Sequence, residues 1–184
     1  EDGQGVAGID IRICPSMGYH DDITVHGFDY GIRMTPYHMT HNSFEYVTLV
    51  RQTKAGFLIE DCSASIRKLA SANVVPALCM TSASGQAVLL DSRLNGEGGE
   101  GAAIDAGVGQ LFARNVTTNN YATPILVKGI DAGTGKHVDE FVSGPVLSLK
   151  DGQEPRSLNL PIQDWPLVSW DTDFQKWANV DAYG

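Results

Sequence analysis

No apolar run in this chain approaches the roughly 20 residues that a membrane-crossing helix needs, so no membrane span is expected. Cysteine is scarce: Cys14, Cys62 and Cys79 are an odd number with no C-x-x-C spacing. That pattern argues against a zinc site and for buried free thiols. Basic residues are outnumbered, 13 Lys and Arg against 22 Asp and Glu, for a net charge of −9. Such a surface repels phosphate backbones, and nucleic acid is not an expected partner. No motif calls for a metal or an organic cofactor. "NGEGGEG" lacks the Lys-Ser/Thr ending of a phosphate loop. The opening "EDGQGVAGIDIRI" does not read as a signal peptide. Tryptophan is absent before residue 165, and helical periodicity is hard to find before residue 170.

What fills the chain instead is a succession of short β-prone runs bounded by Gly, Asn, Ser or Asp. "DITVHG", "YGIRM", "EYVTLV", "GFLIED", "AVLLD", "GAAID", "LFARNV" and "PILVKG" are examples. This is strand-and-turn grammar. At 184 residues, 20 of them glycine, the chain is long enough for one full domain rich in turns.

The runs recur. Ile23, Val47, Ile66, Val88 and Leu111 lie 24, 19, 22 and 23 residues apart. Between them Ile32, Phe57, Ala77, Ala102 and Ile125 lie 25, 20, 25 and 23 apart. Two interleaved series share a period of about 22, within the range of solenoid repeats. A leucine-rich repeat would need a leucine and asparagine frame that is absent. An antiparallel sandwich gives no reason for a constant period. The reading is therefore all-β: a single-stranded right-handed parallel β-helix of about five coils. In such a fold Ile, Val, Leu, Phe and Ala fill the bore while polar turns project outward. Asn73, Asn95, Asn115, Asn119 and Asn120 fall where the chain would bend, and asparagine tolerates positive φ.

The coil pattern over roughly residues 7 to 129 resembles the pectate lyase-like β-helix superfamily. The end of the chain, "WANVDAYG", looks like the opening strand of a further domain of that superfamily, with Val180, Asp181, Ala182, Tyr183 and Gly184 matching. "GQEPRSLNLPIQDWPLVSWD" before it reads as an extended linker. The domain reading is thus a β-helix over 1–150 and a linker or tail over 151–184. The tail leads toward a second β-helix domain of the same polypeptide, in an arrangement similar to that of glycoside hydrolase family 55 glucanases. Alternatively, the tail folds back and its tryptophans cover an open end of the helix. The resemblance implies an extracellular or secreted protein whose partner is a polysaccharide or oligosaccharide.

Candidate chemistry sits in the turns. "MTPYHMTHNSFEYV" carries Tyr37, His38, His41 and Glu45. Aromatics stack on sugar faces and His and Glu handle protons, so Tyr37, His38 and His41 are the candidate substrate-binding residues. Asp61 and Asp105 follow corresponding strands two coils apart, which strand spacing puts at roughly 10 Å. That lies near the separation of roughly 6.5–9.5 Å for an acid and a water-activating base in inverting glycosidases. Asp61 and Asp105 are the candidate catalytic pair, with Glu45 in reserve. The bland alternatives are solvated turn acids and strand-capping histidines. Asp21-Asp22 resembles the paired aspartates of polygalacturonases, but that family's Gly-His-Gly and Arg-x-Lys elements are not visible. The leading function is glycoside hydrolysis of a polysaccharide. The alternatives are a non-catalytic scaffold or binding module, as in adhesins and tailspikes, and a polysaccharide lyase.

Overall fold

Ile9, Ile32, Phe57, Leu78, Ile104 and Ile125 stand directly above one another as parallel strand partners, so one apolar residue per repeat builds a continuous wall. The computed structural model describes residues 2–12, 17–35, 41–146, 160–164, 171 and 173–178. The strands are β1 (Ala7–Ile11), β2 (Gly18–His26), β3 (Tyr30–Met34), β4 (His41–Val50), β5 (Ala55–Ile59), β6 (Ser63–Arg67) and β7 (Ala70–Ala72). They continue with β8 (Leu78–Met80), β9 (Gln86–Asn95), β10 (Ala102–Asp105), β11 (Gln110–Asn119), β12 (Thr123–Val127), β13 (Ile130–Asp131) and β14 (His137–Val142).

They form two seven-stranded sheets. The first runs β1-β3-β5-β8-β10-β12-β13. The second runs β14-β11-β9-β6-β4-β2, with β7 continuing β6 between β4 and β9. Apart from β7, which continues β6, and β13, which folds back on β12, consecutive strands alternate between the sheets, and neighbours within each sheet are parallel except for β12 with β13 and β11 with β14. This is a parallel β-helix of about five coils.

In the second sheet β2, β4, β9 and β11 run to 9 or 10 residues because each is bent once, and β6 and β7 are the two limbs of a fifth such strand. Asp22, Tyr46, Lys68, Asp91 and Asn115 all have φ between 49° and 56°. The register puts these five left-handed residues in one column. A single left-handed residue turns the strand without an inserted loop, at roughly 1–2 kcal/mol for a residue with a Cβ. Each long strand thus has a limb before the bend and a limb after it.

The bore is filled from three sides. Phe44, Ile66, Leu89 and Ala113 point in from the limbs before the bend, and Val25, Leu49 and Leu94 from those after it. Each fully buried Ile, Leu or Phe contributes about 1.5–3 kcal/mol. Phe44 meets Phe57 edge-on at 5.2 Å and lies under the His20 ring at 4.7 Å.

Leu49 sits at the corner where the second sheet returns to the first, and glycine makes room for it. A Cβ on Gly31 would lie 2.8 Å from Leu49 Cδ2, and one on Gly56 would lie 2.6 Å from the Ala77 carbonyl oxygen. Buried Gln52 shares its amide N–H groups among the carbonyls of Val25, Gly27 and Val50 at 2.9–3.2 Å. Asn73 accepts from Gln52 N at 2.7 Å and donates to Leu49 O and Ser71 Oγ. These side chains supply the partners that the backbone lacks as it turns.

Two antiparallel strands end the stack: β13 folds back on β12, and β14 lies along the free edge of β11. The described cysteines match the expected free thiols: Cys62 is buried and Cys79 half-buried, while Cys14 lies outside the described residues.

Chain contacts divide the molecule into residues 1–146 and 147–184. Within the second unit Phe174–Lys176 form one 3-10 turn, capped by Asp173 accepting from Gln175 N at 3.1 Å. Trp177 packs on Phe174 at 5.3 Å and donates to Asp171 O. The "NVDAYG" motif lies outside the described residues.

Candidate functional site

β4 presents His41, Ser43 and Glu45 outward while Asn42 and Phe44 point into the core. His41 and Glu45 therefore share a face, four residues or about 13 Å apart along the strand. His41 Nε2 is 3.1 Å from Ser65 Oγ. Tyr37 and His38 lie outside the described residues.

Glu45 is part of a polar row that crosses all five coils. Tyr19 Oη donates to its Oε2 at 3.4 Å, and Arg67 Nη1 stands 3.5 Å from its Oε1. Arg67 Nε also donates to Asp91 Oδ2 at 3.2 Å, and Asn115 Nδ2 donates to Asp91 Oδ1 at 2.7 Å. Side chains on neighbouring coils meet in this way because parallel strands stack in register. The Tyr19 hydroxyl is shifted up in pKa, first by what burial it has and then by the nearby charges of Glu45 and Asp21. Beside this row the Lys68 ammonium donates to Tyr46 Oη at 2.5 Å and lies 4.3 Å from its ring centroid. Tyr19 and Tyr46 remain 61% and 43% exposed, so each has a ring face open to solvent.

Asp61 and Asp105 do not stand in one column. Asp105 pairs with Cys79 and Cys79 with Leu58, so the third-coil neighbour of Asp105 is Leu58, three residues before Asp61. Asp61 lies beyond the end of β5, where the chain has left the strand, whereas Asp105 is the last residue of β10. Each carboxylate is already engaged. Ser82 Oγ donates to Asp61 Oδ1, and Asp105 Oδ1 accepts from Gly107 N at 3.0 Å.

A groove that sequence reasoning missed lies on the outer face of the limbs after the bend. Ala70 and Ala72 of β7 form its floor. Thr48 and Val50 of β4 wall one side, and Arg93 and Asn95 of β9 wall the other, with Asn119 of β11 beyond them. The volume is about 220 Å³. The groove exists because the third coil carries two methyls where its neighbours carry longer side chains. The alternation of "ASAN" is visible in the sequence, but its depth depends on which residues stack above and below. Among the described residues no three His, Cys, Asp or Glu side chains gather as metal ligands, and no helix is long and apolar enough to cross a membrane.

No family model, no curated protein and no solved structure matches the chain. Its likeness to known proteins therefore stands at the level of the fold, a β-helix of stacked parallel coils.

Proposed function

We propose that this domain is a saccharide-binding β-helix, the recognition part of an extracellular carbohydrate-active protein. The observation that carries the reading is the open groove over Ala70 and Ala72, rimmed by Thr48, Arg93, Asn95 and Asn119. A sugar ring has an apolar face and a polar circumference. Methyl groups beneath and hydroxyl, amide and guanidinium groups at the side complement both, and the parallel sheet holds them on a rigid frame. The binding reading ranks above hydrolysis because the candidate carboxylates have structural partners: Asp61 with Ser82, Asp105 with Gly107 N, and Glu45 with Arg67. The finer assignment, to the pectate lyase-like superfamily with a family 55-type tandem partner, belongs to this proposal. It is supported by the repeat length and the parallel coils.

The test is a panel of soluble polysaccharides in affinity electrophoresis, with reducing-sugar release measured in parallel. Retardation by at least one polysaccharide without release is the expected result. Absence of any retardation removes the reading.

Glycoside hydrolysis is the second reading, favoured by Glu45 having the Tyr19 hydroxyl beside it and His41 on the same face. In that case sugar is released, and Glu45→Gln abolishes release while leaving retardation intact. A lyase would instead give products with the absorbance of an unsaturated sugar.

A further inference from the structure

Charge distinguishes this groove from the rest of the surface. The chain has 22 acidic residues against 13 basic ones, yet no Asp or Glu lines the groove and one guanidinium does. Arg12, Arg33, Arg51 and Arg67 each hold a carboxylate. Arg93 holds none among the described residues. Its backbone N–H is fixed to Leu69 O at 2.8 Å, and its side chain is exposed at the groove wall. Asn95 beside it accepts at Oδ1 from Asn120 Nδ2 at 2.8 Å and from Glu97 N at 3.4 Å, so its oxygen is engaged and its amide N–H groups are what the side chain has left to offer a ligand. On this side the wall offers hydrogen-bond donors, with a planar fork suited to a two-oxygen anion.

Size narrows the ligand further. At about 220 Å³ the groove is smaller than the roughly 300–1,000 Å³ of sites for drug-sized molecules. One ring fits, and a chain would extend beyond it.

We propose that the groove seats one anionic sugar residue, its ring over the Ala70 and Ala72 methyls and its carboxylate or sulfate ester on the Arg93 guanidinium. The proposal rests on the saccharide-binding reading and adds the charge of the ligand. A carboxylate and a sulfate ester offer Arg93 the same paired oxygens, and the experiment separates them.

Binding of the full chain is measured by titration calorimetry with four probes: a glucuronate oligosaccharide, a sulfated oligosaccharide, a neutral glucose oligosaccharide of equal length, and inorganic sulfate. At least one acidic oligosaccharide is expected to bind tenfold or more tightly than the neutral one, with affinity falling as salt rises. Arg93→Gln removes that advantage and its salt dependence, Arg93→Lys restores part of it, and neither changes the melting temperature. Which acidic probe binds identifies the anion. Equal affinity for acidic and neutral probes, or an Arg93→Gln protein that binds like the parent, overturns the anionic assignment and leaves the saccharide reading standing. Inorganic sulfate binding as well as the sulfated oligosaccharide overturns the sugar component. Binding of no probe by the folded protein overturns both.

Discussion

Arg33 and Asp10 face each other as a two-point pair between the first and second coils: Nε to Oδ1 at 3.0 Å and Nη2 to Oδ2 at 2.9 Å. Burial pushes the Asp10 carboxyl up, but hydrogen bonds and charge from Arg33 and then Arg12 outweigh it and hold the carboxyl below its usual range. A depressed native pKa gives stability that is present above the unfolded value of about 4 and is lost as pH falls through the native value. Asp10→Asn should therefore destabilise the fold by about 1 kcal/mol at pH 7. The gap from the parent should narrow as pH falls below the unfolded value and through the lower native one. Melting curves of both proteins from pH 2 to 7 check this, and a constant gap would assign the effect to packing.

Asn115 isolates the backbone term of the bend. It is exposed and left-handed, with φ 53°, and among the described residues its side chain bonds only Asp91. Asn115→Gly and Asn115→Val both lose that bond. Only valine must be forced into the left-handed region, so it should be about 1–2 kcal/mol less stable than glycine. Denaturant midpoints of the two variants measure the difference directly.

Gly56 meets backbone, which cannot step aside. Gly56→Ala brings a methyl to 2.6 Å from the Ala77 carbonyl oxygen and should cost about 1–3 kcal/mol. At Gly31 the first atom met is Leu49 Cδ2 at 2.8 Å, and the Gly56 carbonyl oxygen follows at 2.9 Å, so only the side-chain part of the clash can be relieved. Gly31→Ala is therefore expected to be partly rescued by Leu49→Val, whereas Gly56→Ala is not. A double-mutant cycle at each site distinguishes the two.

Burial pushes the thiols of Cys62 and Cys79 up to about 11. At pH 8 neither supplies an appreciable fraction of thiolate, the form that reacts. Iodoacetamide should leave both unmodified in the folded protein and label both in urea. Peptide mapping by mass spectrometry reads each cysteine separately.

The number of coils was legible in the sequence because every coil, whatever its register, returns an apolar residue after about the same number of positions. The columns themselves were not. Val47 stacks on Leu69, Ser92 and Val116, whereas Ile66 belongs with Phe44 and Leu89. The series that joined Ile66 to Val47 therefore crossed from one column to the next. Asp61 and Asp105 looked stacked for a separate reason: "GFLI" and "GAAI" align by their final isoleucine, whereas the register sets Ile104 in the column of Phe57, two residues before Ile59. Pattern failed for Ile66 because both limbs of a bent strand alternate in and out, and the bend resets the alternation at residues such as Tyr46 and Lys68. Neither is a turn former by type. Of the five asparagines expected at bends, Asn115 and Asn120 lie at positive φ, whereas Asn73, Asn95 and Asn119 do not. Glu45 was found because it follows a motif-rich turn. Its partner Arg67 was not, because the pairing runs along the stack and leaves no trace in local sequence. The groove escaped for a related reason: a concavity is a difference between adjacent coils, and two alanines by themselves are unremarkable.

The reversal of direction at β14 has a consequence for self-assembly. A stack of parallel strands is a template, since its last strand offers the next chain the same ladder that it formed itself. β14 occupies that ladder on β11 running the other way, and its exposed face carries His137 and the Asp139 carboxylate. A strand arriving there meets the opposite polarity and polar side chains, both of which oppose edge-to-edge addition. The molecule thus carries the geometry of a fibril while blocking its elongation from that end.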